Sequence, residues 1–77
     1  MPDYYEYVRY LTEGSIWLDA SMRTIVVHRV HWANAVNVGS FDLLIIPDMK
    51  IVHRPAWEVE KYVREGLMQY CKDCARV

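Results

Sequence analysis

Apolar and polar positions repeat with two different periods along the 77-residue chain, and the changes of period divide it into three stretches. In the first, Tyr4, Tyr7, Val8 and Leu11 recur at helical spacing, with Glu6, Arg9 and Glu13 on the opposite face. Asp3 stands where its carboxylate can cap the free amides of a first turn, Glu6 follows three residues on, and Gly14 supplies a left-handed stop. This pattern predicts a helix over 3–13. A strand competes with it, because Tyr5, Tyr7, Arg9 and Leu11 alternate within a run of high β-propensity.

From Ser15 to Arg54 the period shortens to two. Ile16-Trp17-Leu18 reads as a short strand, Asp19 to Met22 as a turn, and Arg23 to Trp32 as a long β-branched strand. Asn34, Asn37, Gly39 and Ser40 mark a loop. Phe41 to Ile46 is apolar on nearly both faces, which predicts a central strand, and the Pro47-Asp48 turn leads into a fourth strand, Lys50 to His53.

Pro55 suits the first position of a helix reaching to about Ala75, with Val59, Val63, Leu67, Tyr70, Cys71 and Cys74 in one stripe. Gly66 inside that helix costs about 1 kcal/mol relative to alanine, so a close approach or a bend is expected there. The fold expected is α+β, a single domain over 1–77: an N-terminal helix, a four-stranded antiparallel meander and a C-terminal helix in two layers. Both helices would cover one sheet face and leave the other to solvent or to a partner.

Composition narrows the function classes. With 53% hydrophobic and 25% charged residues and a formal net charge of -1, the chain is neither a solvating acidic tail nor a polybasic arm. Its longest apolar run, Leu43 to Pro47, is far short of the roughly 20 residues of a membrane span. Met1-Pro2-Asp3 lacks the basic opening of a secretory signal, so a cytoplasmic protein is expected. A chain this short hides only about 60% of the surface it exposes when unfolded, which calls for a disulfide, a metal or a second subunit.

Four constellations could carry chemistry. Cys71-x-x-Cys74 with His28-x-x-His31 can be written as a Cys2His2 set, making a zinc-stabilised module one alternative. Positions three apart on a strand face opposite ways unless the strand is bulged, and the cysteines suit a buried helix stripe as free thiols, so no metal and no cofactor are expected. His28, Arg29, His53 and Arg54 form a near-repeat that could gather into an anion or nucleic-acid patch beside Trp32 or Trp57. A pI near 6.3 gives such binding little counterion release to draw on, so nucleic acid is not favoured.

Removal of Met1 would bare the secondary amine of Pro2, and the chain resembles the small tautomerases in length and in that residue. Those enzymes open with a strand and a β-α-β unit, and no matching arginine can be placed here. No P-loop, HExxH or GxSxG occurs, so an enzyme is not expected. What remains is surface: Tyr4, Tyr5, Tyr7 and Tyr10 cannot all turn inward from one helix, and Leu44 and Ile46 lie across the sheet from Phe41, Leu43 and Ile45. Amphipathic rings beside aliphatic strand residues make interface cores. The reading is a non-enzymatic interaction module that binds a protein partner, most simply as a two-fold homodimer. Base rates for chains of this size add a regulator or inhibitor of a larger assembly, of viral or mobile-element type.

Overall fold

A computed structural model describes residues 9–71. Among the described residues alternating side chains build five strands, β1 (Ile16–Asp19), β2 (Thr24–Trp32), β3 (Val38–Ile46), β4 (Lys50–Pro55) and β5 (Met68–Tyr70), and one helix, α1 (Ala56–Arg64), stands between the last two. The strands form one sheet in the order β4-β3-β2-β1-β5, every neighbouring pair antiparallel. Asp19 closes the first turn, its Oδ1 accepting the backbone N–H groups of Ser21 and Arg23 at 2.8 Å each.

One face of the sheet carries the core. Trp17, Ile25, Val27, Phe41, Leu43 and Met68 are buried there, joined by Val59 from α1 and by Leu11. Helix α1 lies against β3, β4 and β5. Among the described residues no helix is long and apolar enough to cross a membrane.

This architecture corrects the expected fold, which had two helices and four strands. Residues 1–8, with Tyr5 and Tyr7, lie outside the described residues, and 9–13, the described part of the expected N-terminal helix, form turns and irregular chain. The physical reason is competition from the sheet. Leu11 is 6% exposed in the core, the Tyr10 ring stacks on Tyr70 with centroids 4.6 Å apart, and Gly14 and Ser15 exchange backbone hydrogen bonds with Val27. These contacts seat Tyr10 and Leu11 on the core side and tie the residues that follow them to β2.

The expected C-terminal helix stops at Arg64, some ten residues early. Gly66 adopts φ 74°, and the chain closes on it with Gly66 N–H donating to Val63 O and Leu67 N–H to Tyr62 O. That pair of bonds is the Schellman stop, in which a left-handed residue ends a helix. Met68-Gln69-Tyr70 then alternates buried, exposed and half-buried along β1. Pro55, expected inside the helix, ends β4 in extended geometry at φ -65°, ψ 151°.

Candidate functional site on the uncovered sheet face

The register sorts every strand residue onto one of two faces, because cross-strand partners point the same way. Opposite the core face no described helix or strand lies over the sheet, and its side chains fall into three main rows and an outer one of His31, Ser40 and Pro55. The middle row is wholly aliphatic and crosses four strands: Ile16 pairs with Val26, Val26 with Leu44, and Leu44 with Ile51. Beside it Leu18, Thr24 and Ile46 form a mixed row. On the other side lies a polar row of Arg29, Asp42 and His53.

A bulge completes the polar row. Val27 pairs with Leu43 but Arg29 with Asp42, so His28 is an extra residue in β2. The shift turns His31 onto the uncovered face opposite Ser40, diagonal to Asp42. His31 Nε2 then stands 2.9 Å from Asp42 Oδ2, and His53 Nδ1 2.6 Å from Asp42 Oδ1. An ionised carboxylate only accepts, so the imidazoles donate, which sets Nε2–H on His31 and Nδ1–H on His53. Hydrogen bonds from His31, then from His53, hold the Asp42 carboxyl below its ordinary range against a smaller opposing effect of burial. The two rings lie 5.5 Å apart, tilted by 56°.

Of the expected anion patch, Arg29 and His53 flank Asp42 on the uncovered face, while His28 sits exposed in the bulge. Arg54 pairs with Phe41 on the core face, its Nε 3.2 Å from Glu58 of α1. The four residues are therefore not gathered together, and an acid stands between the two that are neighbours. The Cys2His2 set is not assembled either. Cys71 is disulfide-bonded, which corrects the expectation of free thiols, and its N–H donates to Ile16 O on β1, away from the β2–β3–β4 trio; Cys74 lies outside the described residues.

Of the expected interface residues, Leu44 and Ile46 are half-buried on the uncovered face, and Tyr10 is 37% exposed beside Tyr70 on the core side. Sequence reasoning missed Ile16, Leu18, Val26 and Ile51 as their companions, and missed Asp42 altogether. A lone acid in an otherwise apolar central strand was the available signal, since such a group needs partners. Trp32 and Trp57, 62% and 65% exposed, flank a separate groove of about 520 Å³ with Val36 and Phe41. Comparison of the chain with protein-family models, with characterised proteins and with solved structures finds no match.

Proposed function

We propose that this protein is a non-enzymatic interaction module whose contact surface is the uncovered sheet face, occupied by a second copy of the chain. The observation that supports this reading is the aliphatic row Ile16, Val26, Leu44 and Ile51, continuous across four strands with no described element above it. Its flank of Arg29, Asp42 and His53 gives the apolar centre and polar rim of a protein interface. A two-fold axis through the row would lay it on itself, and a net charge of -1 puts little repulsion between copies.

Sedimentation equilibrium over a range of protein concentrations tests this. Wild type is expected to run above its 9.1 kDa chain mass, and Ile51→Glu, a change at a 54% exposed position on an edge strand, to return it to that mass. A wild-type particle of one chain mass at every concentration overturns the reading. Control of a larger assembly by the same face, as regulator or inhibitor, belongs to the same proposal. So does cytoplasmic residence, against which the disulfide-bonded Cys71 weighs, because thiols are kept reduced there; thiol titration of protein from its host decides it.

A further inference from the structure

We propose that His31, Asp42 and His53 form a binding site for one divalent transition-metal ion of the zinc type. Each residue offers one donor atom, and the three donors lie within 4.8 Å of one another on three adjacent strands of one sheet. Two imidazole nitrogens and a carboxylate oxygen suit zinc and its neighbours, which prefer such mixed sets, and not calcium or magnesium, which take oxygen alone. Metal–ligand bonds of about 2.0–2.1 Å in a tetrahedron put donors about 3.3 Å apart. The carboxylate already stands 2.9 and 2.6 Å from the two rings, so closing on an ion requires the exposed imidazoles to turn and leaves the strands in place.

The surroundings leave the site open for entry. The His31 and His53 side chains are 45% and 62% exposed, which gives an ion a path and leaves a fourth position for water or for a partner's side chain. Arg29 is an adverse charge directly across from Asp42, yet both carboxylate oxygens are engaged by imidazoles and Arg29 makes no ion pair among the described residues. Both rings exchange a hydrogen bond for a coordinate bond when the ion enters, releasing the two ring protons that now face Asp42 to solvent or to the other ring nitrogen. All three ligands come from one chain, so assembling the donor set does not require self-association.

Zinc chloride titrated into chelator-stripped protein, in competition with a chromogenic chelator, tests the site. One equivalent per chain is expected to bind, in wild type and in Ile51→Glu alike, so a failed dimer and a failed metal site are told apart. His31→Ala, His53→Ala and Asp42→Asn should each weaken binding by at least about tenfold, and His28→Ala should not. Nitrogen-15 spectra of the wild-type histidines add a readout that needs no variant to fold: zinc must shift the ring nitrogens of His31 and His53 and spare those of His28. Failure to bind one equivalent, retention of affinity in the three variants, or zinc-induced shifts confined to His28 each overturn the proposal.

Discussion

Leu43 and Leu44 are neighbours in the chain and differ in the face they occupy, so truncating each to alanine measures what the two faces do. Either change removes three carbons, worth roughly 2.4 kcal/mol at about 0.8 kcal/mol per buried methylene. At Leu43, 3% exposed among core side chains, a cavity remains as well, which brings the expected loss to about 3–4 kcal/mol. That is a large share of the roughly 4–12 kcal/mol total of a chain this long. Leu44 is half-buried on the uncovered face, where water fills the vacated space and no cavity is left, so its loss in the monomer stays below about 2 kcal/mol. Self-association reverses part of the contrast. Urea unfolding at two protein concentrations about a hundredfold apart should show wild type gaining up to about 2.7 kcal/mol at the higher one, the mass-action contribution of a dimer. Leu43→Ala should keep that gain and Leu44→Ala should lose it. Equal losses for the two variants would refute the assignment of faces, and a concentration-independent wild type would refute the dimer.

Two further changes probe the turns. Gly66→Ala should cost about 1–2 kcal/mol, the strain of φ 74° on an L side chain, with no steric part because an added Cβ meets nothing within 4 Å; an unchanged melting temperature would count against the helix stop. Burial works to raise the Asp19 carboxyl, but the backbone N–H and guanidinium of Arg23 and the N–H of Ser21 outweigh it and hold the group below its ordinary value of 3.8. Stability from a depressed carboxyl is present in full above that value and is lost as pH falls through the folded-state pKa. Asp19→Asn should therefore flatten the decline of the urea midpoint below about pH 3.8, and an unaltered acid limb would show that the Arg23 contact contributes nothing.

The middle of the chain was legible because its strands are long and bounded by residues with turn chemistry. Asp19 does close a turn, and Phe41 to Ile46 is a central strand apolar on both faces because α1 packs on one side and the aliphatic row lies on the other. The ends were misread for a common reason. Val59 and Val63 begin a helical stripe that Leu67, Tyr70 and Cys71 continue by coincidence, and a three-residue strand is too short to show its own period. Only the left-handed Gly66 separates the two, and a glycine within a periodic run reads equally as a bend. At residues 9–13 local helical spacing lost to long-range contacts, the burial of Leu11 and the stacking of Tyr10 on Tyr70, which no local pattern contains. The candidate site was scattered across readings that never met: His31 was grouped with the cysteines, His53 with arginines, and Asp42 with neither.

The bulge that joins those three residues follows from the demands of the core. Along β2 the core-facing positions run Ile25 and Val27, both buried, and then the half-buried Val30, so the alternation slips from odd to even at His28. An unbroken strand would keep the odd phase and carry Arg29 and His31 onto the core face, while Val30 went to the uncovered one. Burying an unpaired guanidinium costs several kcal/mol, whereas one unpaired residue in a ladder at the sheet's exposed end costs the order of a single hydrogen bond. The bulge is the cheaper solution by a wide margin, and Val30 packs against the core as a result. With the phase reversed, His31 has no choice but to face the same side as Asp42 and His53. The donor set is thus fixed by where an arginine cannot go, and an apolar residue in place of Arg29 that restored the odd phase of β2 would turn His31 away from Asp42 and dissolve the site without touching a ligand.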